Sequence, residues 1–172
     1  DGTLRHVLYN YACHPTSAGA ILEIGGDYVT FARDRIEAHR PGVIACFFQG
    51  CAGDQKVDAR DDDDDGYRKL DLVEVQQRGE QLGDAVLRVI ESDDLKPVEG
   101  KLEWTQVMVE IDTDLPSHDE LQQHLASSQA YIVEWAQHHL DLLAAGTPAK
   151  RKFDFEVQTL RIGRDLAVVG LA

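Results

Sequence analysis

The feature that most constrains this chain is the run Val43-Ile-Ala-Cys-Phe-Phe48, which is apolar throughout and shows no alternation. A strand with one face in water repeats with a period of two, so an unbroken run predicts a strand buried on both faces of a mostly parallel sheet. What surrounds the run fits that reading. Leu4 to Tyr11 (LRHVLYNY) is rich in aromatic and β-branched residues and predicts an earlier strand. Cys13-His14-Pro15-Thr16 must then be loop, because proline lacks the ladder donor. Between the two strands, Gly25-Gly26-Asp27 opens a helix with Asp27 as its N-cap. Tyr28, Phe31, Ala32, Arg35, Ile36 and His39 recur at helical spacing until Pro41-Gly42 stops it. Strand, loop, helix, strand and the Gly-rich loop Gly50-Cys51-Ala52-Gly53-Asp54 form the order of a right-handed βαβ unit. In such sheets ligands gather outside the carboxyl ends of the strands, which is where His14 and Asp54 both fall.

Beyond Asp54 the chain changes character. Residues 55–71 predict an acidic surface loop, since the run Asp61 to Asp65 repels itself and favours solvent. Asp61-x-Asp63-x-Asp65-Gly66 matches the opening of an EF-hand, but Leu72 stands where the bidentate glutamate is required, so a solvated loop is preferred to a calcium site. Leu72 to Ile90 is helical, with Val75, Gly79, Leu82, Val86 and Ile90 on one face. Gly79 and Gly83 each cost about 1 kcal/mol relative to alanine in a helix, which points to close packing against the sheet. Leu102 to Ile111 alternates as a strand. Ser117 and Glu120 form a capping box that opens a helix running to Gly146, with Leu121, Leu125, Ser128, Ile132, Trp135, His139 and Leu142 as its buried stripe. His138 and His139 diverge by about 100° on that helix and have no histidine partner one turn away, so core or rim packing is expected for them. Phe153 to Ile162 and Leu166 to Leu171, joined at Gly163-Arg164-Asp165, predict an antiparallel hairpin.

The fold class expected is therefore mixed α/β: a largely parallel central sheet flanked by helices, with a C-terminal antiparallel hairpin. At 172 residues and 43% apolar content, one sizeable core is expected across residues 1–172. The chain begins at Asp1-Gly2 without methionine and ends in the apolar run from Leu166 to Ala172, so that domain is expected to be incomplete, an internal piece of a larger one.

The formal charge of −14 argues against nucleic acid or an anionic membrane as partner over most of the surface. No apolar stretch approaches the roughly 20 residues that span a bilayer, so no transmembrane segment is expected. Cys13, Cys46 and Cys51 lack the spacing of a zinc knuckle or redox pair and are expected to be small buried hydrophobes. Cys13 and His14 are neighbours on extended chain and point apart, which rules out a thiol dyad.

Two segments carry the chemistry. Asn10-Tyr11-Ala12-Cys13-His14-Pro15-Thr16 sets an imidazole at a strand end on a turn held by proline, the placement that a metal ligand or general base needs. A structural histidine is the competing reading. Gln49-Gly50-Cys51-Ala52-Gly53-Asp54 brings backbone close to a bound group, with Asp54 able to orient a ligand histidine from behind. Its competing reading is a tight turn with glycine at positive φ. A phosphate-cradling P-loop is excluded, because no Gly-Lys-Ser/Thr follows. A phosphate-binding α/β module of another kind rests on the glycines alone, and the acidic balance argues against it.

The order of these pieces is more specific than any one of them. A strand ending in Ala-x-His-Pro, then Gly-Asp-Tyr opening a helix with Phe31-Ala32, then an apolar strand into Gly-x-Ala-Gly-Asp, resembles the neutral/alkaline (non-lysosomal) ceramidase family and its bacterial relatives. The resemblance covers Leu4 to about Asp58. It implies an internal piece of the N-terminal catalytic domain of a zinc-dependent amide hydrolase, acting on a small-molecule or lipid amide, with His14 as one zinc ligand. It also implies that the other ligands, a histidine upstream and a glutamate and a tyrosine downstream, lie outside these residues, so that the rest of the parent chain completes the domain and this piece alone is inactive and poor in metal. The water on such a zinc is the implied nucleophile, and export from the cytoplasm is common among the relatives. Two positions depart from the family pattern. Gly53-Asp54 continue with Gln55-Lys56-Val57-Asp58, so Lys56 stands where the family's active-site serine falls, and Thr30 replaces a glycine. Asp54 and Lys56 are thus the candidate catalytic residues beside the candidate metal ligand His14. A non-catalytic α/β domain that binds a ligand through a decayed site is the alternative.

Overall fold

A computed structural model of the chain describes residues 2–18, 24–57, 59, 68–92, 94–114, 116–147 and 152–171. They are mixed α/β and fall into two compact units, residues 1–96 and 97–172.

The first unit runs β1 (His6–Tyr11), α1 (Asp27–His39), β2 (Ile44–Gln49) and α2 (Leu72–Glu91). β1 and β2 pair in parallel from His6↔Ile44 to Tyr11↔Gln49, as a βαβ order requires. Val7, Tyr9, Val43 and Ala45 form a core with Ala32 and Ile36 of α1 and Leu87 of α2, and Phe47 packs against it. A second cluster, Cys13, Tyr28, Ala59, Leu70 and Val75, joins the segments that follow the strands to the first turns of α1 and α2.

The apolar run of β2 is not buried on both faces. Ala45 is 6% exposed, whereas Ile44 is 54% and Phe48 42% exposed. Both helices pack on the face carrying Val7, Tyr9, Ala45 and Phe47, and among the described residues of this unit nothing covers Leu8, Ile44, Cys46 and Phe48 on the other. Alternation along an extended chain therefore exposes Cys46, and Cys51 is exposed on its loop, so only Cys13 is the buried hydrophobe expected. Gly79 and Gly83 do meet close neighbours, but on α1 rather than the sheet. A Cβ at Gly79 would lie 2.6 Å from Phe31 Cβ and closer still to the Tyr28 carbonyl, and one at Gly83 would lie 2.9 Å from the Ala32 carbonyl. The glycines let the two helices approach backbone to backbone. Asp71 and Glu74 close a reciprocal capping box at the start of α2, which fixes its first turn.

The second unit contains β3 (Leu102–Asp112), α3 (His118–His124), α4 (Ala130–Ala144), β4 (Lys152–Ile162) and β5 (Leu166–Leu171). The expected hairpin of β4 and β5 is present and gains a third strand, giving the antiparallel order β3-β4-β5. A parallel pair in the first unit and an antiparallel sheet ending in the C-terminal hairpin in the second make up the expected mixed α/β class. Gly163 adopts φ +58 at the hairpin turn, a conformation that suits glycine. Trp104 and Val107 of β3, on opposite faces, remain 70% and 52% exposed.

The Ser117–Glu120 capping box forms as expected. The helix it opens does not reach Gly146; it stops at His124, and α4 begins at Ala130. Ser127 Oγ accepts the Gln129 N–H at 3.2 Å, the local competition by which serine interrupts helices. The break turns one stripe into two facing ones, so Ala136 and Leu140 pack with Leu121 and Leu125, while Trp135 lies 40% exposed. His139 stacks edge-on against Trp135 at 5.0 Å and His138 is exposed, the rim packing expected of this pair.

Candidate functional site

The loops after β1 and β2 lie side by side. Gly50 donates its N–H to the Tyr11 carbonyl at 3.1 Å, and a Cβ there would lie 3.0 Å from Ala12 Cα and Cβ. Gly50 and Gly53 do not have positive φ, so close approach, not a left-handed turn, is what Gly50 supplies. His14 N–H donates to the Gln55 carbonyl at 3.1 Å, and Thr16 N–H donates to the His14 carbonyl at 2.9 Å. The residue at the strand end is thereby fixed on both sides, while its side chain stays exposed.

Behind His14 stands a support that residue spacing alone does not reveal. The Tyr28 hydroxyl, from the first turn of α1, donates to the Cys13 carbonyl at 2.5 Å. Tyr28 is 1% exposed, and burial, with the Cys13 thiol next in weight, pushes its phenol far above its ordinary range, so it is a permanent donor. Burial likewise raises the Cys13 thiol, which argues against a nucleophilic role for it. Asp27 is not the N-cap; Gly26 is. Asp27 has φ +55, a left-handed conformation that aspartate tolerates better than most side chains. Its carboxylate accepts from Ser17 Oγ at 2.7 Å, from Ala18 N–H at 2.9 Å and from Tyr28 N–H at 2.8 Å. Gly-Asp-Tyr thus ties the far end of the His14 loop to α1. The motif was visible, but its partners Ser17 and Cys13 could not be read from spacing.

His14 and Lys56 line the same small cleft, of about 20 Å³, together with Thr16, Val57, Arg68 and Lys69. Asp54 does not line it; its carboxylate accepts from Gln55 Nε2 at 3.2 Å on the neighbouring turn. Arg68 makes a two-pronged ion pair with Glu74, 2.8 Å from Nη1 to Oε2, and Lys69 Nζ donates to the Thr16 carbonyl at 3.1 Å. A larger groove, of about 310 Å³, lies between Tyr11, Tyr28, Leu82 and Ala85, with Arg78 and Gln81 also lining it. Val57 lines both, so the two adjoin. Tyr11 and Tyr28 meet edge to face at 6.1 Å.

Among the described residues no group of three or more His, Cys, Asp or Glu is placed to hold a metal ion. His14 alone therefore does not amount to a zinc site, which needs three protein ligands or more. The EF-hand-like run Asp61 to Asp65 lies outside the described residues. No helix among the described residues is long and apolar enough to cross a membrane.

Comparison with protein-family models, with curated proteins and with solved structures finds no match for this chain.

Proposed function

We propose that this chain carries one wall of a hydrolytic site for an amide or related acyl bond, similar in kind to that of the neutral/alkaline ceramidases, with His14 as one zinc ligand. The observation that supports the reading is the setting of His14. It stands past the carboxyl end of a parallel strand, its backbone is bonded on both sides, and its ring lies in a cleft instead of the core. A purely structural histidine gains nothing from that arrangement, whereas a ligand gains fixed geometry with an open approach. Because His14 alone does not fit a zinc ion, the remaining ligands belong in this reading to residues outside these 172. The part played by this chain is positional. Tyr28 and Gln55 hold the His14 loop, and Lys56 brings a cation where the ceramidase pattern has a hydroxyl.

The second reading, a ligand-binding domain without hydrolysis, is favoured by that same Lys56. The two are separated by measuring zinc in the natural protein that contains this chain, as wild type and as His14→Ala, and by assaying both against a panel of amides and esters. Loss of about one zinc per chain in the variant, with loss of hydrolysis, is the result expected. Equal zinc in both removes His14 from the site. Full zinc without hydrolysis of any substrate favours the binding reading.

A further inference from the structure

We infer that the sheet of the first unit continues past β1 and not past β2, so that the outer edge of β1 takes a further strand, contributed by residues of the same natural protein outside these 172. This goes beyond the reading above and shares with it only the placing of residues outside this chain.

The direction of the main-chain bonds carries the inference. Ile44 N–H donates to the Arg5 carbonyl at 2.9 Å, and Gly50 N–H donates to the Tyr11 carbonyl at 3.1 Å. Successive residues of a strand turn their N–H and C=O groups to opposite sides, so Ile44, Cys46 and Phe48 face β1 while Ala45, Phe47 and Gln49 face the outer edge of β2. By the same alternation Val7, Tyr9 and Tyr11 face β2, and His6, Leu8 and Asn10 face the outer edge of β1.

The two edges differ. At β2 the outward N–H of Ala45 donates to Glu37 Oε1 at 3.0 Å, from the last turn of α1. The carboxylate occupies the place where a strand beside β2 would bring a carbonyl, and the bond is charge-assisted. A charged group turned in against an outermost strand is one of the devices that close an edge to pairing. At β1 these devices are missing. His6–Tyr11 contains no Lys, Asp, Glu or Pro, and its register with β2 is unbroken from His6↔Ile44 to Tyr11↔Gln49, so it has no bulge. The Asn10 side chain turns inward, donating from Nδ2 to the Phe48 carbonyl at 3.0 Å. Among the described residues the outward main-chain groups of His6, Leu8 and Asn10 make no hydrogen bond.

The kind of partner follows. Parallel sheets occur with several strands and both faces covered, and a two-stranded sheet alone is marginal. A strand seated at β1 extends the inner face packed by α1 and α2 as well as the outer face of Leu8, Ile44 and Phe48, so the segment it fits is extended and apolar at successive positions. The formal charge of −14 opposes a second copy as its source, because pairing two copies edge to edge brings like-charged surfaces together. A segment of the same polypeptide is also held at high effective concentration.

The test is residue-resolved hydrogen exchange of the natural protein. The amides of His6, Leu8 and Asn10 are expected to exchange at least about a hundredfold more slowly than those of Phe47 and Gln49. Equal rates at the two edges, or faster exchange at β1, overturn the inference. Glu37→Ala is expected to speed the Ala45 amide to the rate of Phe47, and Glu37→Gln, whose amide oxygen still accepts, to leave it slow. Unchanged exchange of Ala45 in Glu37→Ala overturns the closing of β2; the α2 amides in the same samples report that both variants are folded. A benzophenone photo-crosslinker in place of His6 identifies the source, and the product expected has monomer mass and joins a peptide outside residues 1–172. A product of dimer mass, one joined within residues 1–172, or none at all overturns that source. These readouts use neither zinc nor turnover, so failure of the hydrolase reading gives a distinct result.

Discussion

Replacing Gly79 with alanine sets two effects of opposite sign against each other. Helix propensity alone favours alanine by about 1 kcal/mol in the middle of a helix. Packing opposes it. The added methyl would lie 2.6 Å from Phe31 Cβ and 3.1 Å from the Ala32 amide nitrogen, with the Tyr28 carbonyl nearer still. Carbon atoms are comfortable at about 3.5–4.0 Å, so α1 and α2 would have to part by about 1 Å. Backbone atoms and a Cβ cannot rotate away as the end of a flexible side chain can, which places the cost near the top of the usual overpacking range, about 3 kcal/mol. The difference leaves Gly79→Ala destabilised by about 2 kcal/mol. With a urea slope of about 1–3 kcal/mol per molar for a small protein, the midpoint falls by about 1 M. Gly53→Ala is the control, because a Cβ there meets nothing within 4 Å, and its midpoint is expected to stay within a few tenths of a molar. Urea unfolding followed by circular dichroism reads both. A Gly79→Ala protein as stable as wild type, or more so, would refute the argument, since that is what propensity without helix contact predicts.

Tyr28→Phe removes the donor to the Cys13 carbonyl and leaves that acceptor without it, at a cost of about 1–3 kcal/mol in the same urea assay. Because the bond lies directly behind His14, zinc affinity of the natural protein is expected to fall as well; unchanged stability and zinc would mean that the hydroxyl supports nothing. Glu74 supplies a pH prediction. The Arg68 hydrogen bonds first, then the Asp71 backbone N–H, hold its carboxyl down to about 2. A carboxyl whose folded pKa lies below its unfolded value contributes stability that is full above the unfolded value, about 4.3, and is lost as pH falls toward 2. Glu74→Gln is therefore expected to flatten the acid limb of stability between about pH 4.5 and 2 while leaving its shape near neutrality unchanged, and an identical acid limb in both proteins counts against the capping pair.

The sequence by itself determined the local elements and the loop in which His14 stands. Apolar runs, helical spacing, the Ser117–Glu120 box and the Gly163 turn are written in neighbouring residues, and so was the placing of His14 at a strand's carboxyl end. Tertiary structure decided what depends on residues far apart. It set β2 with one face covered rather than two, and turned Gly79 and Gly83 toward α1 instead of the sheet. It likewise drew Tyr28 under Cys13 and gathered Lys56 and Lys69 beside His14 while leaving Asp54 on the neighbouring turn. The physical reason is the same in each case. Periodicity tells which side of an element is apolar, but which neighbour covers that side, and which charges meet across a loop, follows from packing in three dimensions.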